Sequence, residues 1–346
     1  QPEDYHLFVW HLFSITKRCT LHKALTLEEI SRNMTFVKTY KIGTRGSPLA
    51  LAQAEETRTR LLAAHEGALE PEQLEIRVIK TTGDRIQDRA LSEVGGKGLF
   101  VKEIEEALIS GEIDFAVHSM KDMETELSPE LIIDCILPRE DARDAFISAS
   151  GKSLADLPSG SLVGTASLRR QAQILNRRPD LKVDILRGSV ETRLRKLAEG
   201  KADATLLALA GLKRLGKEDV ITELMHVDDM LPAVAQGAIG IERRLEDEEI
   251  AALLAPINDS VSYARISCER AMLAVLDGSC RTPIAGYAEL VDGNMLDFRA
   301  SVLATDGSLR FDASGQADIS EAIALGERLG KELKVQAEDA NLTFVL

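Results

Sequence analysis

The sequence predicts an α/β protein built from two similar halves and a small α+β unit that follows them. Three observations carry this expectation. Short apolar strands alternate with helical segments to about residue 255, which favours mostly parallel sheets. Two local patterns recur, once in each half. From Ser260 the order changes to helix, strands, helix.

The first half opens with Lys41-Ile42-Gly43-Thr44 and then Ser47-Pro48-Leu49-Ala50. This reads as a strand, a turn, a helix cap and proline at the first helical position. Strand Ile76–Ile79, helix Val101–Ser110, a strand from Asp114 and strand Ile132–Leu137 follow. The second half repeats the opening as Leu162-Val163-Gly164-Thr165, then Ser167-Leu168-Arg169-Arg170. A second echo is a helix, a glycine and an aspartate that opens a strand. It joins Ala107–Gly111 and Asp114 to Leu197–Gly200 and Asp203, with strand Val183–Leu186 and helix Val190–Glu199 nearby. These echoes read as a duplication, with chance likeness between two α/β halves as the alternative. Beyond Pro232–Gly240 lie a strand and an acidic helix from Glu246 to about Ala255. The last unit consists of a helix from Ser260 to about Leu276, strands near Ala285–Leu290 and Leu296–Leu303, and a helix near Glu321–Leu333.

Composition removes several functional classes. Aromatic residues make up 4% of the 346, too few to suggest base-stacking platforms or an aromatic carbohydrate cleft. A formal net charge of −14 argues against nucleic acid as a partner, because duplex binding depends on a broad basic face. No apolar run approaches the ~20 residues of a membrane helix, so no membrane partner is expected. Cys19, Cys135, Cys268 and Cys280 show neither zinc spacing nor a disulfide framework. No metal is expected, and a reducing compartment is. Residues 1–36 form an atypical extension. Its apolar stretch Leu7–Phe13 follows Glu3 and Asp4, so it matches a secretory signal poorly, and a transit peptide is the other reading. Met34 is the expected natural start.

Against that acidity, Val163–Lys196 carries nine Lys or Arg and three Asp or Glu. A basic island of this kind suits a small polyanion. Arg169 and Arg170 lie just inside a helix start, where a cation opposes the helix dipole unless an anion is present. Arg187, in Arg187-Gly188 after a strand, and Arg193 one turn later add planar forks suited to carboxylates. Arg177, Arg178, Arg195 and Lys196 read as solvated helix faces.

His118-Ser119-Met120-Lys121-Asp122 follows an apolar strand, where α/β folds place ligands, and its groups can bind an acid and move a proton. Taken alone, a solvated loop explains it better. Gly95-Gly96-Lys97-Gly98-Leu99-Phe100 lacks the spacing of a phosphate loop and reads as a Gly-rich lid carrying Lys97. Cys280, in Gly278-Ser279-Cys280-Arg281-Thr282-Pro283, would in isolation be a small buried hydrophobe. Its loop setting and Arg281 instead favour an accessible thiolate, and with it covalent attachment.

Gly43–Ala50, the Gly95–Phe100 loop, His118–Asp122, Gly164–Arg170, Leu186-Arg187-Gly188, Ala210–Arg214, Pro232–Gly240 and the Cys280 loop resemble the porphobilinogen deaminase (hydroxymethylbilane synthase) family, in its order, across roughly residues 40–346. The resemblance implies an α/β fold of two type II periplasmic-binding-protein-like domains, with a small C-terminal α+β domain. The implied limits are 37–137 with 238–255, 143–231 and 260–346, with the cleft between the first two. It implies stepwise head-to-tail condensation of four porphobilinogen molecules with release of ammonia, then hydrolysis to hydroxymethylbilane in tetrapyrrole biosynthesis. The cofactor implied is a dipyrromethane bound through a thioether to Cys280.

Carried over by position, Asp122, Lys121 and Arg45 would be catalytic, with Asp122 stabilising positive charge as ammonia leaves. Cys280, Asp122, Lys121, Ser119, Thr165, Ser167, Arg169, Arg170, Arg187 and Gly188 would bind the cofactor. Arg45, Ser47, Arg187, Arg193 and Arg214 would hold the substrate's acidic arms, and Lys97 and Phe100 would belong to the lid. Glu93 stands where some relatives carry Lys, Glu124 where many carry Pro, Ala166 where several carry Ser and Ala235 where Gly is common, which affects loop detail. A monomer in the bacterial cytoplasm, or in the chloroplast stroma, is expected. The two-domain echo by itself would also permit a non-catalytic carboxylate-binding protein of periplasmic type. A poor export signal and the cysteine-bearing unit count against that.

Overall fold

The computed structural model describes residues 38–82, 101–276, 282–340 and 342. Three sheets organise them. In the first, β1 (Tyr40–Thr44), β2 (Leu74–Val78), β3 (Phe115–Ser119), β4 (Leu131–Ile136) and β10 (Ile239–Arg244) take the order β2-β1-β3-β10-β4. β1 is parallel to β2 and β3, whereas β10 is antiparallel to β3 and β4. In the second, β5 (Asp144–Ser148), β6 (Leu162–Gly164), β7 (Lys182–Asp184), β8 (Ala204–Ala208) and β9 (Glu223–Leu224) take the order β7-β6-β8-β5-β9. Here β6 is parallel to β7 and β8, and β5 is antiparallel to β8 and β9.

The two sheets match strand for strand: three parallel strands, one antiparallel strand, one edge. The chain passes between them twice, from β4 to β5 and from β9 to β10. This is the paired α/β arrangement of type II periplasmic-binding proteins.

The echoes in the sequence become matched helix starts. Ser47 caps α1 (Pro48–Ala64) by accepting from the Ala50 N–H, and Ser167 caps α3 (Leu168–Arg177) by accepting from the Arg170 N–H. The glycines that precede them are required by close approach. A Cβ on Gly43 would lie 2.1 Å from Ile113 Cδ1, and one on Gly164 would lie 2.8 Å from Leu186 Cβ. Each half then buries its own core, around Tyr40, Phe115 and Ile241 in the first and Phe146, Val163 and Leu206 in the second.

The remaining helices are α2 (Lys102–Ile109), α4 (Val190–Ala198), α5 (Leu209–Arg214), α6 (Glu248–Leu254), α7 (Ser260–Val275) and α8 (Ala322–Asp339). α7 and α8 pack with a third sheet, the antiparallel meander β11 (Ile284–Val291), β12 (Met295–Leu303) and β13 (Arg310–Asp318). Glycine allows the helices to touch, since a Cβ on Gly326 would lie 2.1 Å from Cys268 O. β13 has no counterpart among the sequence-based expectations. Every second residue is exposed, and apart from Phe311 its inward residues are Ala or Gly, so it lacks the usual apolar alternation. The core of this unit, around Phe298 and Leu329, also takes in Met120 and Met123 from the turn that follows β3. That turn is therefore packed against the C-terminal unit.

Candidate active site

Beyond the carboxyl end of β3 the chain makes one 3₁₀ turn, Met120–Asp122. Met120 and Met123 are buried, while Asp122 is exposed. This packing fixes the turn and leaves the carboxylate exposed on the wall of a cavity. Ser119 is held by Gln53 of α1, 2.8 Å from its Oγ. Arg45, Ser47, Gln53, His118, Ser119 and Asp122 share the wall of a cavity of about 60 Å³. His118 Nε2 lies 3.0 Å from Glu242 Oε2, both groups being buried.

Lys121 points toward the other half. Its Nζ donates to Gln236 Oε1 at 3.5 Å, and Gln236 Nε2 donates to Asp144 Oδ1 at 2.9 Å. Burial pushes the Lys121 amine down to about 8, helped by Arg170 and Arg193 and opposed by Asp122 and Asp144. The two halves thus present their charges to one another at this point.

Arg169 and Arg170 are buried, as is Asp144 at the head of β5. Arg169 Nη2 and Arg170 Nη2 each donate to the Asp144 carboxylate at 2.7 Å. Arg169 Nη1 also donates to Leu231 O at 2.7 Å, and Arg170 Nη1 to Leu206 O at 2.9 Å. Burial raises the Asp144 carboxyl, but the two guanidiniums override it and hold the group well below the usual carboxylate range. This corrects one step of the sequence argument. The anion that two arginines at a helix start require is supplied by the protein itself.

Arg193 differs from these. Its Nε donates to Gly188 O at 2.8 Å, and among the described residues no carboxylate pairs with it. Burial, then Arg170 and Arg187, lower its guanidinium to about 10, against the pull of Asp122. Arg187 and Arg45 are half-buried, and Gly188, with φ 124, turns the chain into the Ser189 cap of α4. Thr165 is buried and accepts from the Ser167 N–H at 3.2 Å, shaping the start of α3. Arg214 donates Nε–H to Glu56 of α1 at 2.9 Å and Nη2–H to Gly237 O at 3.2 Å, so it joins the halves.

Arg178 is more than a solvated helix face, because it donates to the carbonyls of Leu154, Ala155 and Leu157, each at 2.8 Å. Lys196 likewise donates to Arg187 O at 3.0 Å. Ala235 takes φ 60, a left-handed backbone that suits glycine, and its N–H donates to Glu269 Oε2 at 2.6 Å. Glu124 lends its carbonyl to Arg270, as does Met123. Ala166 is exposed. Cys280, Lys97, Phe100 and Glu93 lie outside the described residues, as do residues 1–37.

Sequence reasoning missed Gln53, Asp144, Gln236 and Glu242. Gln236 falls inside the Pro232–Gly240 motif, which could have drawn attention to it. Asp144, Glu242 and Gln53 show no local signal, since each acquires meaning from a partner on another element. Among the described residues no cluster of His, Cys, Asp or Glu could hold a metal, and no helix is long and apolar enough to cross a membrane.

A family model described as porphobilinogen deaminase, dipyromethane cofactor binding domain, matches residues 40–252, and one described as porphobilinogen deaminase, C-terminal domain, matches residues 263–335. This chain belongs to the porphobilinogen deaminase family. A chloroplastic porphobilinogen deaminase of Pisum sativum is 54% identical over 325 residues, 92% of this chain and 87% of that protein. The porphobilinogen deaminase of Nitrobacter hamburgensis is 55% identical over 303 residues, 88% of this chain and 95% of that protein. Among solved structures, an arginine-specific periplasmic binding protein of Salmonella typhimurium aligns with a TM-score of 0.37 at 14% identity, over 65% of this chain and 94% of that one. The fold assignment rests on the strand orders. The family match spans both sheets and the meander, so the residues of the β3 turn and of α3 and α4 belong to one family architecture.

Proposed function

We propose that the protein is a porphobilinogen deaminase, condensing four porphobilinogen molecules head to tail with loss of ammonia and releasing hydroxymethylbilane by hydrolysis. One observation carries the reading. Lys121 and Arg193, from different halves, lie within electrostatic reach of one another, and among the described residues their hydrogen bonds go to Gln236 and to Gly188 O, not to a carboxylate. Such positive charge without enough negative partners calls for a polyanion. A dipyrromethane, whose pyrroles bear acetate and propionate arms, fits that demand. When bound it would supply a covalent anchor on which a chain can grow, with Cys280 as the point of attachment.

The protein's own groups divide the work. Lys121, Arg193, Arg187 and Arg45 meet acidic arms directly, with Ser47 and Ser119 on the cavity wall beside Arg45, and Ser167 and Gly188 at the starts of α3 and α4. Arg169 and Arg170 are already satisfied by Asp144 and by carbonyls, so they contribute a fixed positive potential and a shaped wall. Arg214 holds the halves in register through Glu56. Asp122 stabilises the positive charge that develops on the substrate as ammonia departs. A carboxylate held by a packed turn does this without reorganising.

The unit limits 37–137 with 238–255, 143–231 and 260–346 are the division under which this cleft lies between the first two bodies. Action as a monomer, in a bacterial cytoplasm or a plastid stroma, belongs to the same reading. The test is an intact mass spectrum together with an ammonia assay on porphobilinogen. The protein is expected to exceed its sequence mass by two pyrrole units, to lose that excess in Cys280→Ala, and to release ammonia. An unmodified protein that turns over, or a wild type that releases no ammonia, refutes the proposal.

A further inference from the structure

We propose that His118 is a further catalytic residue, a proton carrier at the cavity wall, and that Glu242 is its positioning residue; this rests on the deaminase reading above. The arrangement follows from strand pairing. β10 is antiparallel to β3 with Gly240 opposite His118 and Glu242 opposite Ala116. Gly240 has no side chain, so the imidazole reaches diagonally to the carboxylate two residues further along the same face. Nε2 and Glu242 Oε2 are 3.0 Å apart. A carboxylate only accepts, so Nε2 carries the hydrogen and Nδ1 is left as an acceptor. Nδ1 has no hydrogen bond to the described residues, and the ring forms part of the wall shared with Ser119 and Asp122.

A second observation separates this pair from ordinary packing. Glu242 is fully buried, and its Oε1 has no hydrogen-bond partner among the described residues. An unsatisfied buried carboxylate oxygen is costly, and an apolar pair would fill the space without that cost. Charged groups near the pair among the described residues include Glu105 of α2, itself within reach of Glu124, and Arg45 and Asp122 in the cavity wall. Burial, then Glu242, hold the Glu105 carboxyl above its ordinary range, with His118 acting the other way, so Glu105 lies within electrostatic reach of the pair. A carboxylate in contact with one ring nitrogen is the arrangement that orients an imidazole for proton transfer at the other.

The proton bookkeeping supplies a task for it. Each condensation breaks one C–N bond, forms one C–C bond and breaks one C–H bond at the accepting pyrrole carbon. The electron pair of the C–H bond restores the ring's aromaticity. Its proton passes to His118 Nδ1, and the ring returns to neutral by giving that proton to the ammonia already released, which diffuses away as ammonium. Glu242 holds the ring in the tautomer that can accept it.

The decisive experiment compares His118→Gln, His118→Ala and Glu242→Gln with the wild type. His118→Gln keeps size and a hydrogen bond to Glu242 but cannot carry a proton, and its turnover should fall by roughly 100-fold. His118→Ala should be rescued by added small imidazoles in the order of their basicity, whereas a packing defect would respond to shape alone. Independently of activity, nitrogen NMR should find His118 as the Nε2–H tautomer in the wild type and as a mixture in Glu242→Gln. Turnover of His118→Gln within threefold of an active wild type, rescue indifferent to basicity, or hydrogen on Nδ1 would each overturn the assignment. A wild type releasing no ammonia would refute the functional reading and the catalytic role of His118 with it, whereas the tautomer by itself tests the positioning by Glu242. Should His118→Ala not fold, His118→Gln and the wild-type nitrogen shifts decide.

Discussion

Replacing Asp144 with Asn should be among the most destabilising isosteric changes available to this chain. The carboxylate is fully buried and accepts from two buried guanidiniums at 2.7 Å each and from Gln236 at 2.9 Å. Asn keeps the shape and one carbonyl acceptor, but it turns an amide toward one arginine and removes the countercharge of both. Breaking a buried pair costs about 3–5 kcal/mol, because the remaining charge is desolvated without compensation. With an unfolding entropy of about 2.1 cal/mol/K per residue over 346 residues, the melting temperature should fall by about 4–7 °C. Lys331→Ala, which breaks the exposed Lys331–Glu327 pair at 3.5 Å, is the control and should cost no more than about 0.5 kcal/mol.

Acid supplies a second arm to the same experiment. Because the folded-state carboxyl lies well below the usual range, its stabilisation is complete above the unfolded value of about 3.9 and is lost as pH falls toward the folded value. The gap between wild type and Asp144→Asn should therefore be widest near neutrality and should narrow below about pH 4. Urea unfolding at several pH values, read by circular dichroism, measures both arms. A variant within 1 kcal/mol of wild type at neutral pH, or a gap that ignores acid, would show that the arginines find their countercharge elsewhere (threshold from the scatter of ordinary surface changes, about 0.5 kcal/mol).

Two further expectations test other parts of the argument. Lys121 should lose its positive charge as pH rises through about 8, so the apparent KM for porphobilinogen should climb there. Lys121→Arg should carry that rise to higher pH, and an unmoved rise would remove Lys121 from substrate binding. In the turn between β12 and β13, a Cβ on Gly307 would meet Asn176 N at 2.4 Å and Ala172 O at 2.8 Å, at φ +75. Gly307→Ala should lift the turn from α3, break the bond from Asn176 Nδ2 to Gly307 O, and cost about 2 kcal/mol. Hydrogen exchange should quicken in 172–176, and an unchanged melting temperature would refute the contact.

What the sequence disclosed, and what it withheld, follow from the range of each signal. Ser47-Pro48 and Ser167 announce helix starts because capping is decided within four residues, and both caps form. The alternation of strands and helices fixed the fold class for the same reason. β13 escaped because its inward residues are mostly too small to register as apolar. The candidate site divides along the same line. His118, Ser119, Lys121 and Asp122 are adjacent in sequence and share one turn, so they were visible together. Glu242 stands 124 residues from His118, and Asp144 stands 26 from Arg170 on another element. Their pairing depends on strand order, which no local pattern encodes. The physical rule applied to Arg169 and Arg170 held, but the rule says only that an anion is needed, not whose it is.

The two passages between the sheets explain why those hidden partners matter. Asp144 begins the strand that follows the first passage, and Gln236 lies in the second, just before β10. Lys121 reaches Gln236, Gln236 reaches Asp144, and Asp144 holds Arg169 and Arg170. One hydrogen-bonded line therefore runs from the β3 turn, through both passages, to the start of α3. Each link is buried or half-buried, so none is readily replaced by water. A relative shift of the two halves must stretch this line, starting at its longest link, the 3.5 Å from Lys121 to Gln236. Loss of that link would leave Lys121 near Arg170 and Arg193 with one hydrogen-bond acceptor fewer, increasing its demand for a carboxylate. The positive charge gathered at Lys121, Arg169 and Arg170 and the geometry that fixes the separation of the halves are thus set by the same hydrogen-bonded line.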